Sequence, residues 1–333
     1  MTLFGDLSAN QFLADYWQQK PLMVRQAVPG FRSVLTGDEL AGLALEPEVE
    51  SRLVLTRDLE HPEEAAQSQS TSLRWDQRWQ LLPGPFTEAD FAGLPKENWT
   101  LLVQAVDLWV PELKSLLALF DFLPRWRFDD VMVSYAVPGG SVGPHVDQYD
   151  VFLLQVEGER EWQLGAASGS TAQADAASTQ PASALRVMRK FEPTAQWTLG
   201  PGDMLYLPPG VPHWGVAKTD CLTYSIGFRS PSASEMLSDL AVEVLARNTD
   251  PQYRDPPLTA SMASNRIAPE FLQAAKTLLI EVLDDDALLA DWFARFMTAP
   301  KYPGLEELTQ EQRRAVVGGI DYLNGEAVGK AAD

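Results

Sequence analysis

The chain has 333 residues, of which 45% are hydrophobic and 22% are charged, a balance typical of a globular protein with a sizeable core. Its 46 acidic and 26 basic residues give a formal net charge of −20, which argues against a broad nucleic-acid-binding face and suits a basic partner. The single cysteine excludes an internal disulfide. The N-terminus lacks a secretory pattern and no apolar stretch reaches about 18 residues, so we expect a cytoplasmic protein that does not enter membranes.

The N-terminal part of the chain alternates helices and strands. The expected order is helix, strand, helix and strand, at residues 8–19, 20–28, 36–45 and 51–56. Ser8 is a good cap for the first helix. The polar, acidic stretch 58–72 predicts a surface loop, and its histidine, His61, is interpreted as a solvated residue and not as a ligand.

Short strands separated by proline and glycine turns dominate the middle of the chain. In order, the pattern predicts a strand, a helix and a strand at 99–106, 110–123 and 125–143, and three further strand signals between 184 and 230. Residues 151–165 predict a hairpin hinged at Gly158. The low-complexity stretch 166–184 predicts a mobile loop. Such a succession of strands indicates a β-sandwich or barrel of the jelly-roll kind.

The chain changes character near residue 231, where strand patterns give way to helical ones. Residues 232–248 predict one helix, and 269–300 predict two more that break near the aspartates at 284–286. The tail 301–333 has no strong pattern. The expected fold is therefore mainly β with α: a β domain over residues 1–230, followed by a helical region over 231–300.

Two of the three histidines are placed as a metal site requires. His145 and Asp147 lie two residues apart, so on a strand they share one face, and His213 follows a proline- and glycine-rich turn on a later strand. Two imidazoles and one carboxylate form the facial triad of non-heme iron oxygenases, which leaves positions for a chelating cosubstrate and dioxygen. Zinc accepts the same ligands, but their spacing on a jelly-roll favours iron. The alternative is that both histidines are structural.

The stretches GPHVDQYDVFLLQVEGEREW, GDMLYLPPGVPHWG and TYSIGFRSP resemble the JmjC-type ribosomal oxygenases of the cupin superfamily. The likeness spans roughly residues 8–300. It implies a double-stranded β-helix and an iron(II)- and 2-oxoglutarate-dependent protein hydroxylase. The nearest likeness is to the bacterial branch, which hydroxylates an arginine of the sixteenth protein of the large ribosomal subunit.

The resemblance assigns roles to five residues. It makes the catalytic metal ligands His145, Asp147 and His213. Arg160, fifteen positions after the first ligand, would pair with the distal carboxylate of 2-oxoglutarate, as a buried guanidinium requires an anion. Its alternative is a surface pair with Glu159 or Glu161. A hydroxyl on the preceding strand would help, from Ser134 or Tyr135, with weaker candidates at Thr223 and Ser225.

Residues around the H-x-D pair are candidates for contact with the substrate. Asp150 would either hold a guanidinium at the mouth of the site or orient His145. Gln148 offers a neutral hydrogen bond or is a solvated loop residue. Tyr149 and Trp214 either flank the substrate chain or pack in the core.

The resemblance also implies partners. The acidic chain suits a basic ribosomal protein and no direct nucleic-acid contact, and the helices after residue 231 match the family's dimerisation region, which predicts a homodimer. The family usually ends in a winged-helix domain, of which 301–333 would be a remnant or the start.

Two other functions stay open from the sequence. One is hydroxylation of a histidine or another residue on another protein, or of a small molecule. The other is a non-catalytic, metal-binding jelly-roll involved in ribosome assembly. The complete triad together with Arg160 argues against a mere binder, which needs neither an open iron face nor an anion partner.

Overall fold

The computed structural model describes residues 3–56, 78–166, 187–188, 190–247, 250–259, 266–305 and 313–331. Within the chain, one compact unit comprises Met1–Pro124 and Phe128–Ser230, and the other comprises Arg125–Arg127 and Pro231–Asp333. The predicted loop 58–72 with His61, and all but the first residue of the predicted loop 166–184, lie outside the described residues.

The first unit contains twelve strands among its described residues. Strands β1 to β12 are Leu22–Val24, Ser51–Thr56, Trp79–Pro83, Trp99–Val103, Phe128–Ala136, His145–Val146, Val151–Glu157, Arg160–Gly165, Pro193–Leu199, Met204–Leu207, Pro212–Ala217 and Cys221–Phe228. Helices α1 to α5 are Ala9–Asp15, Gly37–Leu43, Glu88–Ala92, Val106–Trp109 and Lys114–Leu117. The capped start of α1 is confirmed, since the Ser8 side chain accepts a hydrogen bond from the Gln11 backbone.

The strands form two antiparallel sheets. The larger has the order β1-β10-β7-β12-β5-β4-β2-β3, and the smaller has the order β6-β11-β8-β9. A buried apolar cluster joins side chains of both sheets, among them Leu153, Trp162, Leu164 and Leu205, so the sheets pack face to face. The predicted mainly β architecture is confirmed.

Strand β7 is buried on both of its faces. Phe152 and Leu154 belong to the large core, which also includes Phe12 of α1, whereas Val151 and Leu153 belong to the cluster between the sheets. Because strand side chains alternate in direction, an element covered on both sides is largely apolar. The apolar run from Val151 to Leu154 follows from this central position, and the buried Gln155 that ends it donates hydrogen bonds to the backbone carbonyls of Glu157 and Leu222.

The prediction that residues 151–165 form a hairpin is wrong, because its two strands do not pair with each other. Both strands exist, but β7 pairs with β10 and β12 in the larger sheet, whereas β8 pairs with β11 and β9 in the smaller one. Gly158, at φ +64°, lies in the connection between them. The turn therefore carries the chain from one sheet to the other. Both edges of β7 are already paired, one with β10 and the other with β12, so β8 pairs elsewhere.

Gly158 is a position where a side chain should not be tolerated. An added Cβ would lie 1.9 Å from the backbone oxygen of Asp220, and the positive φ disfavours any L-residue. We expect Gly158→Ala to lower the free energy of unfolding by about 2 kcal/mol or more, measured by urea denaturation. The control is Gly42→Ala within α2, where an added Cβ meets nothing within 4 Å. That change should stabilise by roughly 0.5–1 kcal/mol. Equal effects of both changes would contradict this account.

The predicted helix at 110–123 is a series of short helical turns. They are Val106–Trp109, Pro111–Leu113, Lys114–Leu117 and Ala118–Phe120. Pro111 has no backbone N–H, so a continuous helix cannot run through it from α4. The apolar side chains Leu113, Leu116 and Phe120 are nevertheless buried, as their three-to-four spacing predicts.

The second unit contains the predicted helices and a small sheet. Helices α6, α7 and α8 are Ala233–Ala246, Pro269–Leu283 and Asp286–Thr298, which confirms the break near 284–286. Strands β13 to β15, Arg314–Val317, Ile320–Leu323 and Glu326–Lys330, form an antiparallel sheet. The expectation of no pattern in this tail is wrong. Two-residue turns connect these strands, Gly318-Gly319 between β13 and β14 and Asn324-Gly325 between β14 and β15, and all four residues have positive φ. Such residue pairs are a hairpin signal that can be read from the sequence.

Across the described residues, no helix combines the length and the apolar character that crossing a membrane requires.

Candidate active site

Strand pairing brings the two distant histidines together. His145 begins β6 and His213 is the second residue of β11, and these residues are direct cross-strand partners, with ring centroids 4.2 Å apart. Asp147 follows β6 at once. Its Oδ2 lies 3.9 Å from Nε2 of His145 and 3.6 Å from Nε2 of His213. One potential ligand atom from each residue falls within 4.8 Å of the others, close enough to share one metal ion.

Backbone carbonyls fix the orientation of both imidazole rings. Nδ1 of His145 lies 2.9 Å from the oxygen of Gly143, and Nδ1 of His213 lies 3.0 Å from the oxygen of Val211. Each Nδ1–H thus donates to a carbonyl and leaves the Nε2 lone pair directed at the cluster. Burial lowers the pKa of His213 to about 4, so its ring is neutral near pH 7. Neutral imidazoles and an ionised carboxylate are the donor set that a divalent transition metal takes.

The cluster opens into a cavity of about 530 Å³ between the sheets. Besides the three clustered residues, its wall includes Arg160 and Ser134. The other polar residues of the wall are Glu50, Arg52, Gln104, Gln148, Tyr149 and Ser225, and its large apolar residues include Leu81, Leu102, Met132, Leu153 and Trp162. The cavity therefore joins the histidines of the small sheet to strands β2 to β5 of the large one.

Arg160 is a buried cation on the cavity wall, 6% exposed. Its Nη1 donates to Oγ of Ser134 at 3.1 Å, and its Nε has no acceptor among the described residues. Glu161 pairs instead with Lys218 at 2.9 Å, so the alternative of a surface ion pair between Arg160 and Glu161 is wrong. A buried guanidinium with an unused donor beside a cavity fits an anionic ligand such as a carboxylate.

Strand alternation decides between the two hydroxyl candidates on β5. Ser134 is 2% exposed and lines the cavity, whereas Tyr135 points to the opposite face, where it packs against Trp99 at 5.6 Å between ring centroids. Burial raises the pKa of Tyr135 to about 12. Of the weaker candidates, Ser225 lines the cavity, and Thr223 donates its hydroxyl to Gln155 instead.

The structure contradicts both roles suggested for Asp150. The residue is completely buried and is not part of the cavity wall. It accepts hydrogen bonds from the hydroxyl of Tyr206 at 2.6 Å and from Nε2 of Gln18 at 3.0 Å. It neither reaches the mouth of the site nor orients His145. These contacts make Asp150 a buried polar link between β10 and the segment after α1.

Of the remaining candidates for substrate contact, two line the cavity and one packs against other residues away from it. Gln148 and Tyr149 line the cavity. Trp214 does not: its Nε1 donates to Oγ of Ser141 at 2.8 Å, and its ring packs edge-on against Trp79 at 6.4 Å between centroids. The packing alternative for Trp214 is therefore the correct one.

Sequence reasoning missed the wall that β2 and β4 contribute. Arg52 pairs in register with Leu102, and Leu102 with Ser134, so a row of side chains on one sheet face runs from the sheet edge to Ser134. Glu50 and Gln104, whose backbones are hydrogen-bonded, form part of a parallel row. Alternation placed these side chains on one face, but nothing in the sequence showed that β4 would lie beside β5.

Two packed antiparallel sheets carry the His-Asp-His cluster beside a buried arginine, an arrangement suited to a metal-dependent oxygenase. The JmjC domain family matches residues 115–236. The chain is 35% identical over 292 residues to the ribosomal protein uL16 3-hydroxylase of Escherichia coli, covering 87% of this chain and 71% of that protein. It is 36% identical over 278 residues to a probable ribosomal oxygenase of Haemophilus influenzae, covering 82% of this chain and 63% of that protein.

A solved structure agrees with these relatives. The Escherichia coli ribosomal oxygenase YcfD, in complex with cobalt and 2-oxoglutarate, superposes with a TM-score of 0.77 at 32% identity, covering 98% of this chain and 86% of that one. The chain belongs to the ribosomal oxygenase family, and the resemblance inferred from its motifs is confirmed.

Proposed function

We propose that the protein is an iron(II)- and 2-oxoglutarate-dependent hydroxylase acting on an arginine side chain of the ribosomal protein uL16. The proposal depends on one observation: the His145-Asp147-His213 cluster lies on the wall of the same cavity as Arg160, a buried arginine whose Nε has no acceptor among the described residues. The relative from Escherichia coli is named for 3-hydroxylation of uL16, and a solved relative binds cobalt, a stand-in for iron, together with 2-oxoglutarate.

The iron would be held by Nε2 of His145, Nε2 of His213 and a carboxylate oxygen of Asp147. When bound with 2-oxoglutarate and dioxygen, iron supplies oxidation of a substrate C–H to C–OH, coupled to decarboxylation of the cosubstrate to succinate. The carbonyls of Gly143 and Val211 orient the two rings and fix Nδ1 as the protonated nitrogen, which leaves Nε2 as the ligand atom. Three protein ligands leave the remaining coordination positions to the reactants.

The cosubstrate would be anchored at its far end by Arg160 and Ser134. The guanidinium and the hydroxyl are already hydrogen-bonded to each other, so both donors are placed before the ligand arrives. The low exposure of both residues keeps water from competing for the carboxylate. The buried position of the pair supports a dicarboxylate cosubstrate over a neutral one.

The outer cavity suits a long cationic side chain from a peptide. The side-chain rows over β5, β4 and β2 form a trough beside the metal cluster, and its wall includes Glu50 and Arg52, which form an ion pair with each other. Around Tyr149, desolvation and the charges of Asp147, Asp130 and Asp129 raise the pKa of the phenol. We propose that the target guanidinium is received among the polar groups of this wall, which include Glu50, Gln104 and Gln148.

The direct test is hydroxylation of uL16 from the source bacterium in the presence of iron(II), 2-oxoglutarate and air. We expect succinate release and a mass increase of one oxygen, located on an arginine by fragmentation mass spectrometry. An added oxygen on histidine would favour the alternative hydroxylase. No succinate with any ribosomal protein would favour a non-catalytic metal-binding jelly-roll.

For the chain as a whole, we propose a catalytic domain at 1–230, a dimerisation region at 231–300 and a C-terminal remnant or start of a winged-helix domain at 301–333. A ribosomal-protein substrate and the net charge of −20 support action in the cytoplasm on a basic protein, without direct nucleic-acid contact. The helices support a homodimer, because α6 leaves Leu237, Val242 and Leu245 largely exposed although Leu240 and Val244 of the same helix are buried.

Charge on the exposed leucines should separate the dimer. Leu245 is 65% exposed on α6, and α7 exposes Leu279 to the same extent. We expect the unmodified protein to be a dimer by light scattering and Leu245→Glu to be a monomer, because a carboxylate in an apolar interface loses its water without gaining a partner. Leu119→Glu, on an exposed leucine of the other unit, is the control and should remain dimeric. A monomeric unmodified protein would rule out the dimer.

A further inference from the structure

Trp162 places an unused hydrogen-bond donor beside the candidate active site. The side chain is 5% exposed and lines the cavity, and its Nε1 is buried without an acceptor among the described residues. Buried indole N–H groups usually have a partner, because leaving one without an acceptor is costly. A molecule bound in the cavity could supply the acceptor that the indole N–H lacks.

The indole ring packs against a glycine on the neighbouring strand. Gly215 is its cross-strand partner on β11, and an added Cβ there would lie 2.8 Å from the ring carbons of Trp162. Only a residue without a side chain allows the ring to lie over this strand. The position of the indole is therefore set by backbone packing and does not depend on a flexible contact.

The ring lies near both Arg160, a proposed cosubstrate anchor, and His213, a proposed metal ligand. Its centroid is 5.7 Å from the guanidinium carbon of Arg160 and 5.9 Å from the ring centroid of His213. Arg160 and Trp162 are two residues apart on β8, so their side chains share a face of the strand. Nε of Arg160 likewise lacks an acceptor among the described residues, so two buried donors for which the described part of the chain supplies no partner belong to the residues that line one cavity.

We propose that the indole N–H of Trp162 donates a hydrogen bond to the distal carboxylate of the cosubstrate, as a third donor beside Arg160 and Ser134. This inference rests on the proposed function, since it requires 2-oxoglutarate as the ligand. A carboxylate has acceptor sites for more donors than a guanidinium and a hydroxyl supply. Trp162 is on this view a cosubstrate-binding residue and not only part of the apolar cluster between the sheets.

The test is anaerobic binding of 2-oxoglutarate to the manganese(II)-loaded protein, measured by calorimetry. Trp162→Phe keeps an aromatic ring and removes the N–H, and we expect its Kd to rise about tenfold, the effect of one hydrogen bond to a charged acceptor. Pyruvate, a 2-oxo acid without the distal carboxylate, should bind both proteins within about twofold of each other. Trp197→Phe, at the cross-strand partner on β9, is the matched control and should leave both affinities unchanged.

A second measurement separates the hydrogen bond from packing. Placing 3-benzothienylalanine at position 162 retains the size of the ring and replaces the N–H by sulphur, and it should weaken 2-oxoglutarate binding as Trp162→Phe does. In the zinc(II)-loaded protein, the indole ¹H–¹⁵N signal of Trp162 should shift downfield with 2-oxoglutarate and much less with pyruvate.

Three outcomes have distinct meanings. Binding of 2-oxoglutarate to either variant with unchanged affinity would overturn the inference, and so would an equal loss for 2-oxoglutarate and pyruvate. Failure of the unmodified protein to bind 2-oxoglutarate would instead overturn the proposed function on which the inference rests.

Discussion

Replacing His213 with alanine is expected to lower iron-dependent turnover of 2-oxoglutarate by at least about a hundredfold, since even the loss of a ligand's hydrogen-bond partner costs that much at some metal sites. His213 is 2% exposed, and its Nε2 lies 3.6 Å from the Asp147 carboxylate. Alanine removes one of the two imidazoles, and no other histidine among the described residues can replace it. Succinate release should be measured together with manganese(II) binding by calorimetry, and both should be lost.

The chain offers a matched control for this substitution. His61 is the only histidine outside the cluster, so His61→Ala makes the same chemical change elsewhere. It should retain turnover and metal binding. If His213→Ala retained metal binding and turnover comparable with those of His61→Ala, the cluster would not be the metal site.

Replacing Arg160 with methionine is expected to weaken 2-oxoglutarate binding by at least about thirtyfold, because truncating one partner of a buried charge pair costs roughly 2–5 kcal/mol. The same variant should be no less stable than the unmodified protein when ligand is absent. In that state the guanidinium is buried, with a hydroxyl and an aromatic ring as its contacts and no carboxylate paired with it among the described residues. Methionine fills comparable space without a charge to desolvate.

Thermal unfolding checks both halves of this expectation. Added 2-oxoglutarate should raise the Tm of the metal-loaded unmodified protein and leave that of Arg160→Met unchanged, since a ligand stabilises only the state that binds it. Lys218→Met removes a cation from the surface pair with Glu161 and should keep the ligand-dependent shift. A ligand-dependent shift in Arg160→Met as large as in the unmodified protein would show that the anion binds elsewhere.

The proposed metal ligands could be found from sequence because they follow local rules. The spacing of His145 and Asp147 predicts a shared face, and His213 stands out in a chain with three histidines. Ser134 and Tyr135 could not be separated in this way, because alternation gives two faces without saying which one meets the cavity. That choice depends on β12 and β4, which flank β5 and come from distant parts of the chain.

The errors in the fold have the same origin. Strands β7 and β8 were both predicted, but their assignment to different sheets depends on β10 and β11, which come about fifty residues later, and long-range pairing is not encoded in a short segment. The missed C-terminal sheet is different, since its Asn324-Gly325 turn is a local hairpin signal. The flanking strands are short and largely exposed, so they lack the apolar alternation by which strands are usually predicted.

The two imidazole rings are each held by a carbonyl two residues earlier in the chain, Gly143 for His145 and Val211 for His213. A carbonyl group is present whatever amino acid occupies a position, so no single side-chain replacement deletes either acceptor. Mutations that reshape the wall of the cavity can therefore accumulate without disturbing the tautomers of the histidines. The proposed metal site would therefore keep the orientation of its two imidazoles when substitutions in the cavity wall change the target.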